Sequence, residues 1–360
     1  KHRPSIIPFH FRNSFRENVK EWGFSIPFNL VKKFPDGKYK VDIQTSMKKS
    51  NLYSSYYEKK GKIKDSILFV SHFDHPHQLN DGISGTFASY ELLKKLKNKK
   101  FTYAGLATPE IIGSIFFAKK FAKLKKIKHA VMLNFTGNDS SLIYSKSSEE
   151  DSFIDKIVEH ISLYKKNIKI VKFREIIGAD EISFDNQINK IPCSSIYRWP
   201  FKHYHSNKDN FENFNLKKFK ETINFLEELI FIVENNSVFF NRFKDLPKLS
   251  HPKLDLYFSP RYWKKNNLLN DKKTINESDK KIFNLIKDIQ DIETREACLK
   301  SSDNIQLLQS IIPTKCDGQT TILELANYCK MPFRLVNALI NLWVDKKLLK
   351  KRWVNPLKNK

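Results

Sequence analysis

An α/β fold, a mostly parallel sheet with helices on both faces, is predicted by three features of the sequence. Apolar runs of strand length alternate with helical stretches from residue 62 to about 236. The run Ser66-Ile67-Leu68-Phe69-Val70 has no polar alternation, as expected of a strand buried on both sides. Directly after it comes Ser71-His72-Phe73-Asp74-His75-Pro76-His77-Gln78-Leu79-Asn80-Asp81-Gly82-Ile83-Ser84-Gly85, a loop rich in histidine and aspartate that leads into a helix. In open α/β sheets ligands bind beyond the carboxyl ends of the strands.

The elements follow in order. Residues 1–27 carry Ile6-Ile7-Pro8-Phe9 and Trp22-Gly23-Phe24, with a short helix expected over 14–21. Pro35-Asp36-Gly37 is a turn. Residues 38–45 then alternate Tyr39, Val41 and Ile43 with Lys40, Asp42 and Gln44, a half-exposed strand. With a partner strand over 51–57 this makes 28–61 a small β insertion. Strands are expected at 66–73, 101–107, 130–135, 168–173 and 191–197. Helices are expected at 83–96, 111–125, 151–164 with Asp151 as cap, 181–189 and 216–234. Pro247, Pro252 and Pro260 mark an extended connection over 246–275. Beyond it, Thr320 or Thr321 caps a helix, Met331-Pro332 ends it, 332–345 forms a second, and 350–354 could be a wing strand. The expected domains are 1–27 plus 62–245 (catalytic), 28–61 (insertion), 246–275 (linker) and 276–360 (winged-helix-like).

Composition bounds the function. At 360 residues, and about 150 per domain, roughly two domains are expected. No apolar run reaches the length of about 18 residues that suggests a membrane span, and residues 1–30 do not read as a signal peptide. The chain starts at Lys1, which leaves residues ahead of it open. The four cysteines Cys193, Cys298, Cys316 and Cys329 are scattered with no CxxC, which points to a reduced, cytoplasmic setting. The net charge of +25, from 64 Lys+Arg against 39 Asp+Glu, is mostly lysine spread along the chain and reads as solvated helix faces.

Four clusters at strand ends could carry chemistry. His72 and Asp74 are two apart and share one side of a strand, so one can bind a metal while the other orients it or a partner. Asp81 opens a helix, as a plain N-cap also would. Glu110 follows Pro109 ahead of the next helix. Asp180-Glu181 stand before a short helix, and His205 lies in the 202–210 loop. His72, Asp81, Glu110 and His205 supply enough groups for three ligands and one base at a catalytic Zn²⁺. The sequence has no Gly-x-Ser-x-Gly elbow, Walker loop or HExxH.

On these residues the chain resembles the zinc aminopeptidase and glutaminyl cyclase superfamily. Within it, the chain is most similar to a bacterial branch of aminopeptidase-like proteins associated with polysaccharide biosynthesis. The resemblance rests on His72-Phe73-Asp74-His75-Pro76, Asn80-Asp81-Gly82-Ile83-Ser84-Gly85, Pro109-Glu110-Ile111-Ile112-Gly113-Ser114, Ala179-Asp180-Glu181, and His205 through Asp209-Asn210, with Trp22-Gly23-Phe24 in support. It implies a zinc hydrolase core with an inserted β subdomain and a C-terminal winged helix. It also implies His72, Asp81 and His205 as metal ligands, Asp81 bridging where two metals bind, Asp74 as the carboxylate beside the first histidine, and Glu110 as the strand-end acid. Two departures matter. The superfamily has two adjacent acids where this chain has Glu110 alone, and a further acidic ligand where it has Asn134. One zinc is therefore expected rather than two, held by His72, Asp81 and His205 with Glu110 as base, or by Asp81, Glu110 and His205 with Asp180 or Glu181 as base.

Three functions remain open on the sequence. The first is a zinc-dependent amide or peptide hydrolase acting on a peptide, aminoacyl or acylamino-sugar substrate. The second is a non-catalytic binding protein with a degraded site. The third is a winged-helix regulator. The second C-terminal helix offers only Arg334, Asn337 and Asn341 to base edges and is otherwise apolar, so a docking role is expected for it and DNA is not expected as a partner. Self-association is left open.

Overall fold

Seven strands build the main sheet in the order β1-β3-β2-β4-β7-β5-β6. They are β1 (Ser55–Lys59), β2 (Ser66–His72), β3 (Thr102–Thr108), β4 (Ile127–Asn134), β5 (Leu142–Ser145), β6 (Ile168–Val171) and β7 (Cys193–Arg198). The structure, a computed structural model, describes residues 3–9, 18–19, 21–46, 48–258 and 277–357. Strands β3, β2, β4 and β7 run parallel. β1 is antiparallel on β3, and β5 is antiparallel to β7. The expected α/β fold with a mostly parallel sheet is thus present, as a mixed sheet.

The parallel strands are covered on both faces, so nearly every residue in them is buried, around apolar runs such as 67–70 and 130–133. Every residue of β2 and of β3 is buried. Leu68, Val70, Ala104, Leu106, Ala130, Met132, Phe135, Phe184 and Tyr197 share one core, each large side chain contributing about 1.5–3 kcal/mol by burial. Gly85 lets the helix Ser84–Lys95 approach β4, since a Cβ there would stand 2.0 Å from the Leu133 carbonyl oxygen. Register places His72 opposite Thr108 and Asn134 opposite Tyr197. The carboxyl ends of the four parallel strands therefore fall on one edge of the sheet.

The chain groups into two units, Lys1–Asp151 with Lys169–Ile223, and Ser152–Ile168 with Asn224–Lys360. The second holds an antiparallel sheet in the order β10-β8-β9, from β8 (Ser237–Asn241), β9 (Asp317–Thr321) and β10 (Leu349–Trp353). Thr321 caps the helix Ile322–Tyr328 through a capping box with Glu324. The next helix, Phe333–Asp345, buries Phe333, Leu335, Val336, Leu339, Ile340 and Trp343. That apolar face is packed within its unit, as its sequence indicates.

Several expectations are corrected. Residues 38–45 form no strand, and Tyr39, Val41 and Ile43 are exposed. An alternating pattern needs a neighbouring edge, and the following strand, β1, pairs with β3 instead. The cap of the helix Phe153–Ser162 is Ser152, with Asp155 completing a capping box, and not Asp151. The helix expected over 181–189 is a single turn, Asp180–Ser183. β5, β8 and β9 are not among the strands the sequence predicts. Residues 152–168 and 224–245 group with the C-terminal residues, and β8 pairs with β9 and β10. The expected helix over 14–21 and residues 259–275 of the expected connection over 246–275 lie mostly outside the described residues. No described helix is long and apolar enough to cross a membrane.

Candidate metal centre

β2 delivers His72 to the sheet edge, 2% exposed. The loop beyond it folds back because Gln78 Oε1 accepts the backbone N–H groups of Asp74 (3.0 Å) and His75 (3.1 Å). The turn Leu79–Ile83 then brings Asp81 beneath the loop. This turn works only with Gly82, whose φ is +102° and where a Cβ would stand 2.3 Å from the His72 carbonyl oxygen. Asp209 clamps the turn from a distant loop, accepting Asn80 N–H at 2.7 Å and Asp81 N–H at 2.9 Å. Asn134, at the end of β4, accepts Gly82 N–H at 2.5 Å and Phe135 N–H at 2.8 Å, and its Nδ2 donates to Asp81 Oδ1 at 3.1 Å.

Three imidazoles surround the buried Asp81 carboxylate. His72 Nε2 lies 3.2 Å from Oδ1, while His75 Nε2 and His205 Nε2 each lie 3.3 Å from Oδ2. That Oδ2 has no hydrogen-bond partner. On its other side, His72 Nδ1 stands 3.5 Å from Asp180 Oδ2. Burial would push the Asp81 carboxyl up, but the imidazoles of His205, His72 and His75 facing it hold it well below the usual carboxylate range. Burial works against charge on His72 too, yet Asp180 and Asp81 together raise it well above its ordinary value. His75 is raised as well, Asp81 outweighing burial.

The acids are distributed around this group. Burial raises Glu110 above its ordinary value, with the His72 charge opposing and those of Asp180, Asp74 and Asp81 adding. Asp74 is exposed, and its Oδ2 accepts Glu110 N–H at 2.7 Å. Asp180 accepts Ile111 N–H at 2.8 Å and the Ser114 hydroxyl at 2.7 Å, fixing the start of the helix after Glu110. Burial pushes Asp209 up to about 6 against its two backbone donors. Glu181 is turned to other partners: it accepts Ala179 N–H with both oxygens and Arg174 Nη1 at 2.8 Å.

Of the expected residues, then, the structure gathers His72, Asp81 and His205, sets Glu110 and Asp74 beside them, and holds Glu181 at Arg174. Among the described residues His75, Asp81 and His205 form one group whose ligand-type atoms all lie within 4.8 Å, and His72, Asp74 and His75 form another. His75 was not singled out as a ligand, although its His75-Pro76 pair stood in the motif. Asp209 lies in the motif quoted with His205, but nothing local marks its grip on Asn80 and Asp81.

These donors fit a metal. Zinc takes histidine nitrogen and carboxylate oxygen, and a tetrahedral ion at roughly 2.0–2.1 Å leaves its ligand atoms about 3.3 Å apart. That matches the spacing of His75 and His205 from Asp81 Oδ2, an oxygen aimed at two nitrogens without a hydrogen bond to either. Asp81 Oδ1, in contrast, is already engaged by Asn134.

Comparison with known proteins gives the following. A family described as a domain of unknown function, DUF4910, matches residues 12–236. A protein of Clostridium acetobutylicum, provisionally named a polysaccharide biosynthesis protein with an aminopeptidase-like domain, is 31% identical over 242 residues, 65% of this chain and 54% of that protein. The chain thus spans about half the length of that relative. The crystal structure of a protein from the same species, provisionally named a peptidase, superposes with a TM-score of 0.72 at 23% identity, over 98% of this chain and 72% of the other. A Zn-dependent exopeptidase from Parabacteroides distasonis superposes with a TM-score of 0.41 at 16% identity, over 50% of this chain and 77% of its own. The relative's name and the shared fold agree with the aminopeptidase-like resemblance read from the motifs.

Proposed function

The chain belongs to the DUF4910 family, and on that premise we propose that it is a zinc-dependent hydrolase of amide bonds. The observation that carries the reading is the pair of imidazole nitrogens, each 3.3 Å from the same unsatisfied carboxylate oxygen of Asp81. His75, Asp81 and His205 would hold the ion. A zinc there supplies Lewis-acid polarisation of a carbonyl and acidification of water. Asn134 is neutral and donates to Asp81 Oδ1, which leaves Oδ2 as the oxygen open to a cation and favours one ion over two.

The chain's own residues supply the proton transfers. Glu110 is the base: a carboxylate raised by burial is poised to take the proton of the attacking water and return it to the departing amine as the C–N bond breaks. Asp74 orients the Glu110 backbone by accepting its N–H. His72, between Asp81 and Asp180, carries positive charge that keeps Asp81 ionised. The substrate is a peptide, aminoacyl or acylamino-sugar amide. The link to polysaccharide biosynthesis follows the relative's name.

The test is paired. Protein purified without chelator should carry zinc, which His75→Ala and His205→Ala should lose. Glu110→Gln should keep the zinc and lose roughly 10²–10⁴ in hydrolysis rate. Metal well below half an equivalent in wild type would overturn the zinc reading, and unchanged activity in Glu110→Gln would remove its role. The neutral Asn134 favours a second reading, a binding protein with a degraded site. Full zinc with no hydrolysis across an aminoacyl and acylamino panel would establish that one instead.

A further inference from the structure

The N-terminal segment reaches the same centre from the other end of the sequence. Residues 7–9 run antiparallel beside 205–207. Phe9 N–H donates to His205 O, Asn207 N–H to Ile7 O and Ile7 N–H to Asn207 Oδ1, each at 3.0 Å, with Pro8 opposite Ser206. Proline suits that middle position, where the ladder asks for no N–H. The Arg3 guanidinium adds a bond to the Lys202 carbonyl.

This ladder sets the Phe9 ring against two histidines at once. Its centroid lies 4.7 Å from that of His205, stacked at 28°, and 4.8 Å from that of His75, tilted at 47°. Tyr204 also stacks on His205, at 3.8 Å and 26°. His205 has φ of +49°, a region that a residue with a side chain occupies only when its surroundings hold it there. The His75 side chain is 5% exposed, although Asp74, Pro76 and His77 around it are exposed. An imidazole rotates broadly about χ2 unless something fixes it, and groups that orient metal-ligating histidines weigh heavily on affinity.

Given the zinc reading above, we infer that residues 7–9 are part of the metal centre. Phe9 is a positioning residue that holds the His75 and His205 rings with both Nε2 atoms facing Asp81 Oδ2. It touches neither substrate nor reacting atoms in this role.

The experiment is zinc affinity by competition with a chromophoric chelator, together with the visible spectrum of the cobalt-loaded protein. Phe9→Ala should weaken zinc roughly 10- to 100-fold and alter the cobalt spectrum. Phe9→Tyr, which keeps the ring, should restore both, and Phe9→Leu should fall between. If Phe9→Ala does not fold, Phe9→Leu against Phe9→Tyr carries the comparison. Wild type that binds zinc while Phe9→Ala, or Phe9→Leu in its place, binds it equally with an unchanged spectrum would overturn this role alone. Wild type that binds no zinc would overturn the proposed function and this role with it.

Discussion

Gly82 shows how much of the centre depends on single backbone positions. Its φ of +102° and the His72 carbonyl 2.3 Å from any added Cβ leave no room for another residue. Gly82→Ala should therefore cost more than about 1 kcal/mol, measured by urea unfolding, and should reduce zinc content because Asp81 precedes it directly. Asn134 acts at the same scale. Its amide accepts Gly82 N–H with one end and donates to Asp81 with the other, a pairing that a carboxylate cannot make. The departure from an acid at this position, visible in the sequence, thus has a structural role that the sequence did not disclose.

At the scale of elements, a buried histidine ties three helices together in the second unit. His160, on Phe153–Ser162, is 1% exposed. Its Nδ1 lies 2.6 Å from Asn327 Oδ1 on Ile322–Tyr328, and its Nε2 accepts Phe333 N–H at 3.1 Å on Phe333–Asp345. The accepting Nε2 makes Nδ1 the protonated nitrogen of a neutral ring. Burial holds this histidine below its ordinary value, with the Asn327 bond pulling the other way. A depressed base binds fewer protons folded than unfolded. Its contribution to stability is therefore fully present above about pH 6.5 and is lost as pH falls through the lowered folded value. Urea midpoints across that range should show the acid-side slope in wild type and a shallower one in His160→Gln. An equal slope in both would assign it to other groups.

Elements were the most legible level of the sequence, for local reasons. The buried runs of β2, β3, β4 and β7 and the periodic helices declare themselves within about ten residues. The capping residue of the helix Phe153–Ser162 was misplaced by one position, since Asp151 and Ser152 are both good caps and only the bond to Asp155 N–H decides between them. Residues 38–45 were misread because alternation predicts a strand only if a neighbour pairs with it.

At the scale of the molecule, ligand binding to the native state alone adds stability with concentration, about 2.7 kcal/mol at a hundredfold excess over Kd. Chelation should accordingly lower the thermal midpoint, and added zinc should restore it. An identical melting curve before and after chelation would argue against a resident ion.

The sequence by itself determined the α/β class, the placing of His72, Asp81, Glu110 and His205 at or just beyond strand ends, and the aminopeptidase-like resemblance. Those follow from hydrophobic periodicity and from residue types at short spacing. Only the tertiary structure decided which imidazoles meet which oxygen of Asp81, bringing His75 into the group. It alone placed Asp209 under Asn80, 129 residues away, and turned Glu181 to Arg174. Strand order and loop closure govern those contacts. Both depend on pairings between segments far apart in the chain, which no local pattern of residues encodes.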